Sequence, residues 1–170
     1  MKQTGVTRKI DELGRIVIPK EIRKNLGIRD GEALEIFTSE DSIILKKYFE
    51  VRKYEDLSCR LCELIKNIYN VDLVITDREK VITSSNKEIV ENAKLNNKLL
   101  EFIDNRKMFI TKELSTINLG VDISGYFTII PIIASSDSLG LVIIISYNAN
   151  DYSSLGKLLA KIIADKIDIF

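Results

Sequence analysis

The sequence predicts an α+β protein in two parts: a small strand-rich domain over residues 1–50, a short linker at 51–55, and a larger domain over 56–170 in which an antiparallel sheet is flanked by helices. Three observations lead there. Up to residue 50 the chain alternates short apolar, β-branched runs with Gly, Asp and Ser punctuation. From Tyr54 the apolar period lengthens to that of a helix. Late in the chain, the continuous run LVIII (141–145) calls for a central strand covered on both faces.

In the first domain, VTRKI (6–10) reads as a strand, turned by DELG (11–14) into a second strand, RIVI (15–18). Pro19 suits the first position of a short helix, KEIRKNL follows, and Gly27 stands where a left-handed cap closes such a helix. After the RDGE turn come ALEIF (33–37) and SIILKK (42–47), joined by the polar TSED hairpin. Strands this short and one small helix cannot bury a core of their own. Ile16, Val17 and Ile18 are nevertheless consecutive, as are Ile43, Ile44 and Leu45, so both faces of those strands need cover. A two-fold dimer with interleaved hairpins supplies that cover and repeats every basic residue across its axis.

The second domain opens with an amphipathic helix carrying Leu57, Leu61, Leu64, Ile65 and Ile68. DLVITD and KVITSS pair through an Asp77-Arg78-Glu79 turn, and a polar helical region is expected over 87–105. KMFIT is a further strand, and STINLGVDISG is a looser segment. YFTIIPIIA and SLGLVIIISY then form a long hairpin turned at 135–138, and the chain closes with the helix YSSLGKLLAKIIADKIDIF. The apolar stripe of that helix (Leu155, Leu158, Leu159, Ile162, Ile163, Ile167) is wider than one sheet face requires. Either it packs within the domain or it meets a partner helix, in which case two dimers assemble into a homotetramer.

Charge narrows the function. Lys+Arg and Asp+Glu balance at 25 each, yet residues 1–24 hold seven basic side chains (Lys2, Arg8, Lys9, Arg15, Lys20, Arg23, Lys24) against three acidic ones (Asp11, Glu12, Glu21). A basic contact surface joined to an acidic body is the implied arrangement. The chain has no histidine, which removes His-based triads, His general bases and most transition-metal sites. Cys59 and Cys62 lie inside an amphipathic stretch, not at a strand-to-helix junction, so buried structural thiols are favoured over a redox or zinc centre. With no phosphate loop and no clustered carboxylates, an enzyme has nothing to recommend it. No apolar segment approaches the ~20 residues that span a bilayer, so no membrane partner and a cytoplasmic, nucleoid-associated location are expected.

The run MKQTGVTRKIDELGRIVIPKEIRKNLGIRDGEALEIF, followed by IILKKY, resembles the DNA-binding domain of the AbrB family of transition-state regulators. The resemblance implies a swapped-hairpin β-barrel dimer that binds double-stranded DNA chiefly through arginines. The matching positions are Arg8, Arg15, Arg23 and Lys24, with Lys9 beside them. Lysine at 24, where relatives often carry arginine, keeps the phosphate charge but loses the bidentate fork. The length and second domain resemble the sporulation regulators of this family, which implies control, as activator or repressor, of sporulation genes in the forespore. Since the fold is shared with antitoxins, a role in which the second domain binds a protein partner is the alternative.

The order of elements in the second domain resembles the GAF fold, which commonly holds a small molecule between the sheet and a variable region, here 84–126. No cofactor is expected, and an unidentified small-molecule effector in the GAF-like domain is the one ligand the resemblance suggests. A nucleotide or tetrapyrrole signature is missing from that region.

Overall fold

The computed structural model describes residues 4–168. Met1, Lys2 and Gln3, and the expected helical end at Ile169 and Phe170, lie outside the described residues. The chain divides into two compact units, Met1–Tyr48 and Phe49–Phe170.

The first unit contains α1 (Lys20–Leu26), β1 (Leu34–Ser39) and β2 (Ser42–Lys47). Pro19 sits at the N-cap of α1, where its missing N–H costs nothing. Gly27 ends the helix at φ 63°, a left-handed conformation that L side chains resist. The N–H of Ile28 then reaches back to the Arg23 carbonyl at 2.8 Å, and Lys47 Nζ donates to the Gly27 carbonyl at 3.0 Å. β1 and β2 form an antiparallel hairpin with Ser39 opposite Ser42, which leaves only Glu40 and Asp41 in the turn.

The segments 6–10 and 15–18 differ from expectation: neither is a strand. The reason is the supply of partners. A strand exists only where a neighbour offers a ladder of backbone N–H and C=O groups, and the described residues offer these segments none beyond the single turn bond from the Asp11 N–H to the Arg15 carbonyl. The apolar side chains are stranded likewise, with Ile16 54% and Val17 73% exposed and Ile36 and Ile43 outward on the hairpin.

The second unit runs from a 3-10 helix (Glu50–Tyr54) through α2 (Glu55–Tyr69), β3 (Asp72–Thr76), β4 (Val81–Ser84), α3 (Asn97–Asn105), β5 (Phe109–Ile110), β6 (Ser115–Asn118), β7 (Asp122–Ala134) and β8 (Asp137–Ser146) to α4 (Ser153–Asp168). The sheet order is β4-β3-β8-β7-β5, with β6 also on β7, and every pairing is antiparallel. β8 shows why a continuous apolar run belongs at the centre. Val142 and Ile144 face a core shared with α2 and α4, whereas Leu141, Ile143 and Ile145 face one shared with α3 and β6. Pro131 lies in β7 beyond the residues paired with β5, so its lack of an N–H breaks no ladder on that flank.

Three local expectations are corrected. Residues 51–55 are not an open linker: 50–54 coil into the 3-10 helix, and Val51 is fully buried in the core beneath α2 and α4. Its Arg52 is pinned as well, by an ion pair from Nε to Asp77 Oδ2 at 2.5 Å. Residues 87–96 are not helical. Asn92 takes φ 65°, and its neighbours bond to Val81 instead, Val81 N–H to the Ala93 carbonyl at 2.9 Å and Asn92 N–H to the Val81 carbonyl at 2.8 Å. The helix starts only at Asn97, where the Asn96 side chain accepts the N–H of Leu99. Finally, STINLGVDISG, expected to be loose, is a tight hairpin, β6 to the start of β7, turning at Gly120 with φ 88°.

The wide stripe on α4 is mostly spent on its own domain. Leu159 and Ile163 are buried and Leu155 and Ile167 pack against the same core, which leaves Leu158 exposed at 57%. Leu64 and Ile68 on α2 are also exposed.

Candidate nucleic-acid interface

The basic residues of the first unit stand on two local frames. One is the turn after Ile10. Asp11 builds it: its N–H bonds the Arg15 carbonyl at 3.0 Å, its carbonyl accepts Gly14 N–H at 2.9 Å, and its Oδ1 accepts the N–H groups of Leu13 (3.0 Å) and Arg15 (2.8 Å). Gly14 completes the turn at φ 76°. Asp11 Oδ2 then takes Arg15 Nε at 2.8 Å, so one carboxylate shapes the turn and aims the guanidinium. The backbone N–H of Arg15 and then its side chain hold the Asp11 carboxyl below the usual aspartate range. With 71% of the Arg15 side chain exposed, its two terminal nitrogens face solvent in a fork suited to a phosphate or a guanine edge.

The second frame is α1 with its cap. Lys24 is exposed on the helix, whereas Arg23 is half-buried and ion-paired to Asp30 from the following turn. The sequence signals Asp30 only as the acidic residue of the RDGE turn, seven positions on from Arg23. Arg8 and Lys9 are exposed in the segment before the turn, and Arg8 bonds the Thr7 carbonyl. The structure therefore fixes the bearing of Arg15 and Arg23 through carboxylates, and leaves Arg8, Lys9 and Lys24 on the surface.

The remaining chemistry is sparse. Cys59 and Cys62 are free thiols on α2, and Cys62 Sγ lies 3.4 Å from the Leu73 carbonyl. Burial, with Cys59 beside it, pushes the Cys62 thiol up to about 12, so it stays protonated and unreactive. Among the described residues no group of three His, Cys, Asp or Glu side chains could hold a metal ion, and no helix is long and apolar enough to cross a membrane.

Comparison with known proteins follows the two-unit division. Residues 54–167 match the family model described as stage V sporulation protein T C-terminal, transcription factor. Residues 7–52 match antidote-toxin recognition MazE, bacterial antitoxin. Stage V sporulation protein T of Bacillus subtilis (strain 168) is 36% identical over 152 residues, covering 86% of this chain and 85% of the relative. Transition state regulatory protein AbrB of the same strain is 60% identical over 48 residues, 28% of this chain and half of that protein's length. The solution structure of the N-domain of the transcription factor abrB covers 28% of this chain and 92% of its own, at 60% identity and a TM-score of 0.27.

Proposed function

The chain belongs to the stage V sporulation protein T family of transcription factors, and on that premise we propose that it regulates sporulation genes in the forespore by binding double-stranded DNA as an oligomer. The observation that carries the reading is the pairing of two deficits in the first unit. Among the described residues, 6–18 have no strand partner and Ile16, Val17, Ile36 and Ile43 are exposed. A second copy of the same unit remedies both when hairpins are exchanged into a swapped β-barrel. The dimer then carries two sets of Arg8, Lys9, Arg15, Arg23 and Lys24 on one protein. Phosphate contact supplies the affinity and the arginine forks a loose preference among bendable sites.

The second unit is a GAF-like domain that senses a small molecule or fixes the oligomer, and Leu64, Ile68 and Leu158 are the apolar side chains available to a tetramer contact. No catalysis is assigned to either unit, and the protein works in the cytoplasm on the nucleoid. The match of residues 7–52 to an antitoxin model favours one second reading, in which the chain neutralises a protein partner. A packed second domain, instead of a short tail that folds on its target, weighs against it.

The test is Ile43→Asp. A carboxylate in the shared barrel core abolishes dimerisation and DNA binding together in sedimentation and anisotropy measurements on the full chain. DNA binding by an Ile43→Asp monomer at wild-type strength would refute the dimer; release of a toxin-like partner without any DNA effect would favour the second reading.

A further inference from the structure

At one end of the second unit's sheet, four side chains from three places converge on a buried carboxylate. Asp72, the first residue of β3, is 2% exposed. Lys66 Nζ from α2 meets its Oδ1 at 2.8 Å, with Ser85 Oγ at 3.4 Å. Tyr147, just past β8, donates its hydroxyl to Oδ2 at 2.9 Å, and Asn86 Nδ2 donates to the same oxygen at 3.2 Å. Beside this cluster is an open cavity of about 320 Å³, lined by Lys66, Asp72, Ser85, Asn86, Lys87, Glu88 and Tyr147.

Lattice-like satisfaction of a structural aspartate does not require so much. Ser85 already ties β4 to β3 by accepting the Leu73 N–H at 2.9 Å, and a single Lys66 would neutralise Asp72. Lys87, Glu88 and the hydroxyl of Tyr147 add a cation, an anion and a donor-acceptor to one mouth, and the wall holds no aliphatic core residue. Formal charge over the lining cancels, two lysines against two carboxylates. Lys66 keeps two N–H donors after its bond to Asp72, and the Tyr147 oxygen keeps acceptor capacity. Glu88 is close enough to Tyr147 to help hold its phenol protonated, after the larger effects of burial and the Asp72 hydrogen bond.

We propose that this cavity binds a small zwitterion, a free α-amino acid, with its carboxylate between Lys66 and Lys87 and its ammonium between Glu88 and the Asp72–Tyr147 pair. A zwitterion is the ligand whose two charges are both answered there at short range, which a simple anion or amine is not. Tyr147, 62% exposed, is the most exposed member of the Asp72 cluster and stands at the cavity mouth, where it covers the ligand. The assignment rests on the reading of the second unit as a sensor and names its ligand class.

The test is isothermal titration of the full chain with a panel of free L-amino acids, with acetate and methylamine as half-ligands. At least one amino acid is expected to saturate with a Kd below about 1 mM, a free energy near −4 kcal/mol. The half-ligands bind at least tenfold more weakly. Lys87→Gln and Glu88→Gln, both at exposed positions and thus neutral to folding, each weaken the amino acid at least tenfold. No saturation by any amino acid up to about 10 mM, or saturation unaffected by both variants, overturns the proposal. DNA binding measured with and without the bound amino acid separates the two ideas: unchanged affinity for DNA would sink the sensor reading while leaving the binding site standing.

Discussion

Removing the Arg15 side chain tests the interface at its best-built point. In the structure its Nε is spent on Asp11 at 2.8 Å, and the exposed end of the guanidinium faces solvent, where the proposed DNA contact is made. Arg15→Ala deletes that contact and also strips the Asp11 carboxylate of its counter-charge, so repulsion of phosphate is added to loss of attraction. Each lost contact is expected to cost at least about 1 kcal/mol, and a dimer loses two, so affinity falls by roughly 2 kcal/mol or about 30-fold. The slope of log K against log salt becomes shallower by about 0.9 per lost phosphate contact, close to 1.8 for the dimer. The assay is fluorescence anisotropy with a labelled duplex across a salt series, with circular dichroism and thermal melting as the control on folding. Because the side chain is exposed, the melt should move by no more than about 0.5 kcal/mol. Arg15→Lys should fall between, since it keeps the charge without the fork. Wild-type affinity and slope in Arg15→Ala would refute the reasoning, and a weaker complex with an unchanged slope would mean that Arg15 shapes the turn without touching phosphate.

Other consequences are equally measurable. Gly140→Ala places a Cβ 1.9 Å from the Thr76 carbonyl oxygen of the neighbouring strand β3, where backbone cannot yield, and should cost the second unit about 3 kcal/mol or more in urea unfolding. Cys62, with its thiol up at about 12 and buried, should resist alkylation at pH 8 in the native protein and react only on unfolding, whereas the more exposed Cys59 should be modified first. The Asp11 carboxyl has its pKa lowered on folding. Its support of the turn is therefore complete above the ordinary aspartate range and is lost as pH falls through the lowered value; the Gly14 and Arg15 amide resonances should report that loss at acid pH and stay constant from pH 5 to 8.

What could be read from the sequence followed from how local each signal was. Pro19 and Gly27 each impose a backbone geometry by themselves, so α1 emerges where expected, and the hairpin does too, although Thr38 and Ser39 of the expected TSED turn extend β1 and leave only Glu40 and Asp41 to turn. The run at 141–145 was legible for the same reason, since continuous apolar residues fit a strand with two covered faces. The failures were non-local. Residues 87–96 have a helix-like scatter of apolar positions, but Asn92 in a left-handed conformation and bonds to Val81 hold them beside β4 instead. Val51 falls in the expected linker because nothing in its sequence neighbourhood shows that a core lies above it. Among the basic residues, the Asp11 grip on Arg15 followed from the turn, whereas the Arg23 partner Asp30 depended on how the chain returns after Gly27. The Asp72 cluster was not legible at all: Lys66, Ser85, Asn86 and Tyr147 are spread over about 80 residues, and only the sheet brings them together.

The most direct measurement of the central claim is the binding of the full chain to double-stranded DNA as salt is raised from 50 to 200 mM. With several phosphates contacted by each proposed dimer, a fall in affinity of about 10³-fold or more is expected across that range. Binding that is absent at 50 mM salt, or that persists unchanged to 200 mM, would contradict it.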